Sequence, residues 1–203
     1  RKTSHHLYMD LPHIFGIDFG NKLAGTTVVA HLQNKSVTLH GSKKGENADQ
    51  MILTLTHSHR PDAIYIDAPL SLPGVYQKLP DFRDYFYRDA DRQVKAMSPM
   101  FLGGLTARAM KLSASLEPIP VFEVYPSLWA QRNGWKQLGY KKEKDAIPAL
   151  LKQLRDDFQS VSLPETIPDW HSLDALLALY TGTRHQSKKA EFIGHFEEGG
   201  IYF

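Results

Sequence analysis

A single aspartate inside a short apolar segment constrains this chain more than any other feature. Residues 13–19 read His-Ile-Phe-Gly-Ile-Asp-Phe, and the turn pair Gly20-Asn21 follows them. So short and dense an apolar run predicts a strand that is buried on both faces. An ionised carboxylate in such a strand is costly unless a cation or several N–H groups meet it. Asp18 therefore either caps the turn or belongs to a site, depending on whether the chain supplies partners.

The order of the predicted elements indicates the fold. Strands at 26–30 and 36–40 continue the first strand as an antiparallel meander with short turns. An amphipathic helix at 46–59 then leads to an apolar strand at 63–67, and this kind of crossover makes the later strand parallel to an earlier one. The remaining predicted elements are a helix at 98–116, a strand at 121–126, helices at 145–158 and 170–184, and a terminal hairpin or extended tail at 191–203. The order predicts an α/β protein whose mixed five-stranded sheet carries helices on both faces, and it resembles the ribonuclease H-like fold.

The length of the chain and the positions of its polar and turn-rich stretches predict the domain organisation. A chain of 203 residues with 42% apolar residues has enough material for one substantial core. Residues 1–12 are polar and are predicted to be an N-terminal lead-in, and residues 13–203 a single domain. The turn-rich stretch at about 70–97 is predicted to be a long loop insertion, and connections of this length are usually functional or mobile.

Composition excludes several classes of protein. The chain has no cysteine, which excludes disulfides and thiolate chemistry and agrees with a cytoplasmic location. No run approaches the ~18 apolar residues of a membrane-spanning helix, so no membrane partner is expected. The net charge of +2 does not by itself demand a polyanionic partner, and basic clusters such as residues 141–144 are typical of solvated surface.

Two further aspartates occupy positions where they could join Asp18. Asp67 ends the strand at 63–67, and parallel pairing with the first strand would bring it near Asp18. Asp174 lies at the start of an apolar helix that should be buried, and His171 shares its face. Asp174 could cap that helix or pair with an arginine, in which case removing its charge should destabilise the protein. Alternatively the three carboxylates converge, and replacing Asp174 by Asn should stabilise the metal-free protein.

Converging carboxylates would have a definite chemistry. Oxygen ligands suit Mg²⁺ or Mn²⁺, and two such ions about 4 Å apart can activate water and stabilise a leaving oxygen in phosphodiester cleavage. Arg88 and Arg92 would lie one helical turn apart and could grip a phosphate, or could pair with nearby aspartates on an exposed helix. Glu123 ends a strand, where α/β sites gather, or is a capping residue at the surface.

Four motifs, taken in order, resemble a known series. They are Gly-Ile-Asp-Phe-Gly at 16–20, Ile-Asp-Ala-Pro-Leu at 66–70, Glu-Val-Tyr-Pro at 123–126 and His-Ser-Leu-Asp-Ala-Leu at 171–176. This series resembles an uncharacterised domain-of-unknown-function family of predicted nucleases with a ribonuclease H-like fold. The Arg-Asp-Ala-Asp-Arg run at 88–92 is similar to that family's Arg-x-x-Asp-Arg element, and the His-x-x-Asp pair resembles the last-helix ligands of Holliday-junction resolvases.

The resemblance implies roles for individual residues. Asp18, Asp67 and Asp174 would bind Mg²⁺ or Mn²⁺, and His171 would be a further ligand or a general acid/base. The implied partner is DNA or RNA. There is one departure, since resolvases often have glutamate where this chain has Asp67, a side chain shorter by one methylene.

The sequence therefore predicts that the protein is a metal-dependent phosphodiester hydrolase, in particular a nuclease. Two alternatives stay open. The opening motif also resembles the phosphate loop of the sugar-kinase and actin group, whose ATP-binding members close two domains around the nucleotide, but this sequence contains no second Asp-x-Gly loop. The other alternative is a binding module that keeps the fold without catalytic activity.

Overall fold

A mixed five-stranded sheet positions the other elements of the protein. The computed structural model describes residues 12–203, so the predicted lead-in at 1–12 lies outside the described residues except for its last position. The strands are β1 (Ile14–Asp18), β2 (Val28–Gln33), β3 (Ser36–Gly41), β4 (Ala63–Asp67) and β5 (Val121–Glu123). Their order is β3-β2-β1-β4-β5. The pairs β1–β2 and β2–β3 are antiparallel, and the pairs β1–β4 and β4–β5 are parallel. This is the arrangement of a ribonuclease H-like sheet, and the predicted fold class is confirmed.

Helices cover both faces of the sheet because the strand side chains alternate between two apolar cores. The helices are α1 (Ala48–His59), α2 (Asp89–Val94), α3 (Pro99–Leu102), α4 (Gly104–Ser115), α5 (Pro126–Arg132), α6 (Ile147–Asp157) and α7 (Trp170–Gln186). Phe15 and Ile17 of β1 pack on the face of α1 and α4, whereas Ile14 packs on the face of α6 and α7. No helix within residues 12–203 has the length and apolar character needed to span a membrane.

Two predicted elements differ from the structure. The helix predicted at 98–116 is divided into α3 and α4, because Gly103 adopts a backbone φ of +51° between them. The stretch predicted as a loop insertion at about 70–97 contains α2 and a 3₁₀ turn at Gly74–Gln77. The terminal hairpin is present as β6 (Phe192–His195) and β7 (Gly199–Tyr202), and α2 contacts both of its strands.

Close approach of α7 to the sheet depends on Gly16 in β1. A Cβ atom at this position would lie 2.6 Å from the carbonyl oxygen of Ala175 and closer still to the backbone nitrogen of Leu179. Real side chains essentially never approach backbone so closely, so the absence of a side chain allows α7 to lie directly on β1. This contact sets the start of α7 beside the end of β1.

Replacing Gly16 by Ala should therefore lower the free energy of unfolding by about 1–3 kcal/mol, since α7 must shift away from β1 to admit the methyl group. Urea unfolding of the two proteins measures the difference. Gly41→Ala is the matched control, because a Cβ there meets nothing within 4 Å. Equal stability of the two variants would show that α7 does not depend on this contact.

Candidate metal centre

Three carboxylates meet where β1 and β4 end and α7 begins. Asp18 and Asp67 are the last residues of their strands and are directly paired in the parallel register. Asp174, on α7, offers a third carboxylate, and one oxygen from each of the three residues lies within 4.8 Å of the others. The structure thus brings together the three aspartates that the sequence analysis singled out. Their convergence follows from the parallel pairing of β1 with β4 and from the close packing of α7 on Gly16.

A cleft of about 270 Å³ opens beside two of these carboxylates. Asp18 and Asp67 line it together with Glu123, and apolar side chains including Leu105 and Tyr125 form much of the remaining wall. Apolar walls around a few polar groups are typical of small-molecule and substrate sites. They also lower the local dielectric constant and so strengthen the interactions among the charges inside.

The charge of Asp67 is poorly compensated in the metal-free protein. Burial raises the pKa of Asp67 well above its usual range, and the neighbouring charges of Asp18 and Asp174 raise that pKa further. The ammonium group of Lys141 opposes these effects only in part. The ionised form of Asp67 is therefore disfavoured in this environment.

Asp174, in contrast, has two direct partners. The Nζ atom of Lys141 lies 2.6 Å from Asp174 Oδ2, and the hydroxyl of Tyr140 donates a hydrogen bond to Asp174 Oδ1. Burial raises the pKa of Asp174 to about 6, and Lys141 is the main group that opposes this rise. The sequence left open whether Asp174 pairs with an arginine or joins a site. The structure shows a lysine partner and the neighbouring aspartates together.

His171 lies at the rim of the centre. Its Nδ1 atom is 2.7 Å from Asp18 Oδ2, and 44% of its side chain is exposed. The hydrogen bond to Asp18 raises the pKa of His171, because it favours the protonated ring. The imidazole therefore orients the Asp18 carboxylate while remaining open to solvent.

Arg88 and Glu123, the residues expected to bind substrate, form an ion pair with each other in the structure. Arg88 is fully buried at the start of α2, and both oxygens of Glu123 accept hydrogen bonds from its guanidinium at 2.6 and 2.7 Å. Asp91 accepts two more from the same side chain, at 2.7 and 3.0 Å. The two carboxylates neutralise the guanidinium inside the protein, so it cannot reach a phosphate. The alternative for Arg88, pairing with a nearby aspartate, holds for Asp91, but the pair is buried and not on an exposed helix. Substrate binding by Glu123, which also lines the cleft, stays a prediction.

Arg92 lies outside this network. Its side chain is 58% exposed, forms hydrogen bonds of 2.6 and 3.0 Å with Asp84 and lies over the ring of Tyr87. It lines a surface depression separate from the cleft beside Asp18 and Asp67. Phosphate binding by Arg92 stays a prediction.

Lys141 and Tyr140 were not singled out as site residues by the sequence. They follow α5 in an irregular segment, and Lys141 has a left-handed backbone with φ of +58°. Residues 141–144 have the pattern of a solvated basic cluster, and nothing in the spacing of Tyr140 and Lys141 relates them to Asp174. Their positions near Asp174 arise only from the packing of this segment against α7.

Comparison with known proteins finds a distant likeness to solved structures. No protein-family model and no curated protein matches the chain. Among solved structures, T. thermophilus RuvC in complex with Holliday junction substrate is similar at a TM-score of 0.46 and 17% identity, over 88% of this chain and 97% of that chain. Membership of a family of predicted nucleases stays a prediction, and the chemistry of the centre must be inferred from its own geometry.

The structure changes which substitution should stabilise the metal-free protein. Asp67→Asn removes the least compensated charge, so we expect a gain on the order of 1 kcal/mol, or a few degrees in melting temperature. Asp174→Asn leaves Lys141 without its ion-pair partner, so it should give no gain. Thermal melting in the presence of a chelator measures both variants. A more stable Asp174→Asn protein together with a destabilised Asp67→Asn protein would contradict this distribution of charge.

Proposed function

We propose that this protein is a metal-dependent phosphodiester hydrolase that cleaves DNA or RNA. The observation that supports the proposal is the group of three carboxylate oxygens within 4.8 Å of one another, at the strand ends beside an open cleft. Membership of the predicted nuclease family, a cytoplasmic location and a single domain over 13–203 belong to the same proposal.

The donor set fits a hard divalent cation. All three donors are carboxylate oxygens, the ligands that Mg²⁺ and Mn²⁺ prefer, and no cysteine is available to select a softer ion. The three donor atoms lie within 4.8 Å of one another, so one cation placed among them would be near all three. A bound cation would also relieve the repulsion that raises the pKa of Asp67. Asp18, Asp67 and Asp174 would therefore hold the metal.

Each surrounding residue then has a defined task. A divalent ion, when bound, stabilises charge on phosphate oxygens and lowers the pKa of a coordinated water. Asp18 and Asp67 face the cleft, so they would hold the metal where a phosphate that enters the cleft can reach it. His171 orients Asp18 and can exchange a proton with solvent, because its side chain is hydrogen-bonded and half exposed. Lys141 neutralises Asp174 in the metal-free protein and offers a cation to a phosphate oxygen.

One observation favours a second candidate, a binding module without catalytic activity. The Lys141 ammonium already forms an ion pair with Asp174, so an internal cation occupies part of the space that a metal would take. Yet 45% of the Lys141 side chain is exposed, and the pKa of Asp67 stays raised despite the lysine. The lysine compensates one carboxylate and leaves the others in need of a cation, which favours the enzyme.

The test is metal binding followed by cleavage. Calorimetric titration with Mn²⁺ should detect binding to the wild-type protein, and labelled single-stranded, duplex and branched nucleic acids should be cut in Mg²⁺ or Mn²⁺ but not in chelator. Failure to bind either ion would favour the non-catalytic module. Metal-dependent turnover of ATP without cleavage of nucleic acid would instead favour the phosphotransferase alternative.

A further inference from the structure

Four histidines lie together on the face of the sheet that α1 covers. His13 precedes β1, at the opposite end of that strand from Asp18, and His31, His40 and His59 come from β2, β3 and the last residue of α1. The ring centroid of His31 lies 4.4 Å from that of His59, 5.0 Å from that of His13 and 6.0 Å from that of His40. We call these four residues the histidine cluster.

The ring nitrogens of the cluster have few other partners. The Nε2 atoms of His13 and His31 form a hydrogen bond of 2.9 Å with each other. The Nε2 atom of His40 is buried and has no hydrogen-bond partner among the described residues. Buried polar atoms are nearly always satisfied, so an orphaned imidazole nitrogen beside three other imidazoles requires an explanation.

Burial affects three of the four imidazoles, those of His13, His31 and His40. Burial lowers the pKa of His31 to about 4, with the other three histidines adding to the effect. Burial also lowers the pKa of His13, against the opposing charge of Asp62, and the pKa of His40. Neutral imidazole is the form of histidine that binds metal ions.

We propose that the histidine cluster binds one divalent transition-metal ion, of the class of Ni²⁺, Cu²⁺ or Zn²⁺, through His13, His31 and at least one of His40 and His59. Nitrogen ligands select such ions over Mg²⁺ and Mn²⁺. Two nitrogens about 2.05 Å from a metal and at right angles to each other are about 2.9 Å apart, and at a tetrahedral angle about 3.4 Å apart. His13 Nε2 and His31 Nε2 are hydrogen-bonded to each other at 2.9 Å, so these two nitrogens already lie as close together as two ligands of one ion.

The third ligand requires a small movement. Within residues 12–203, the three aspartates are the one group of three or more possible ligands whose donor atoms all lie within 4.8 Å. The metal-free cluster thus presents two nitrogens, and His40 or His59 must turn a ring nitrogen toward them. His40 can do so without breaking a hydrogen bond, because its Nε2 atom has none to lose. This site is independent of the proposed nuclease centre in both position and ligand chemistry.

The experiment is titration of the protein with Cu²⁺ and Ni²⁺. His5 and His6 are also possible ligands, so both are replaced by Ala in every protein tested. We expect one ion per chain, a rise in melting temperature on binding, and nitrogen hyperfine structure in the electron paramagnetic resonance spectrum of the copper-loaded protein. His13→Gln should weaken binding at least tenfold, a loss that even outer-shell partners of metals can cause.

Matched variants separate the cluster from other sources of binding. His57 is exposed and lies outside the cluster, so His57→Gln should bind as tightly as the parent protein. His31 is buried and its replacement could impair folding, whereas His13 is only partly buried, so His13→Gln is the decisive variant. Unchanged affinity in His13→Gln would overturn the proposal. Loss of the copper signal in Asp18→Asn would also overturn it, since the ion would then be bound at the aspartates.

Discussion

Asp18→Asn should abolish metal-dependent cleavage of nucleic acid while leaving the fold intact. Asp18 ends β1, is paired in register with Asp67 and is hydrogen-bonded to His171. Asparagine has nearly the same shape, but it lacks the charge that a hard cation requires. We expect cleavage to fall by about 100-fold or more, the scale on which active sites lose rate when one electrostatic group is removed. The fold should survive, because the amide oxygen of Asn can still accept the hydrogen bond from His171.

The measurement is a cleavage time course in Mn²⁺, together with a melting curve in chelator for each protein. Asp156→Asn is the control, since Asp156 is 63% exposed on α6 and pairs only with Lys152 among the charged groups around it in the described chain. Its cleavage rate should equal that of the wild-type protein. Full activity in rigorously purified Asp18→Asn would show that another site or a contaminant cleaves the nucleic acid. Binding of Mn²⁺ by the wild-type protein is measured separately and would not be contradicted by that outcome.

Arg88→Met should cause a large loss of stability. Arg88 is fully buried, and its partners Asp91 and Glu123 are only 1% and 7% exposed. Without the guanidinium, two carboxylates remain buried and unpaired, which typically costs about 3–5 kcal/mol. Glu123 also accepts a hydrogen bond from the backbone nitrogen of Leu70, just beyond β4, so the loss should reach the segment that carries Asp67.

The pH dependence of this loss identifies its cause. Burial raises the pKa of Glu123 even in the wild-type protein, and Arg88 opposes that rise. In Arg88→Met the pKa of Glu123 should rise further, so the folded state binds a proton more strongly than the unfolded state does. Stability relative to wild type should therefore recover as the pH falls and Glu123 is protonated.

Two variants test the interpretation by urea unfolding. Arg92→Met removes a 58% exposed arginine from its pair with Asp84 and should change stability by no more than about 1 kcal/mol. Adding Glu123→Gln to Arg88→Met removes one of the stranded charges and should restore part of the lost stability. If Arg88→Met lowered the free energy of unfolding by no more than Arg92→Met does, the buried network would not be important for folding.

Much of the fold could be predicted from the sequence, because strand and helix periodicity is local. The apolar runs that end in Asp18 and Asp67 predicted two buried strands, and the amphipathic helix between them predicted their parallel pairing. These local patterns also predicted that the two aspartates lie at the same edge of the sheet. The division of one long predicted helix at Gly103 was missed, since a helical pattern of apolar residues continues across that glycine.

The pairing of charges, in contrast, depends on tertiary structure. Lys141 meets Asp174 across 33 positions of sequence, and Arg88 meets Glu123 across 35, with no motif that joins either pair. Arg88, which was predicted to bind a phosphate, lies in a buried ion pair. Lys141, which was predicted to lie on the solvated surface, contacts an aspartate of the candidate site. Periodicity indicates which side chains face a core, whereas the partner of a charge is decided by distances of a few ångströms between elements that meet only in the folded chain.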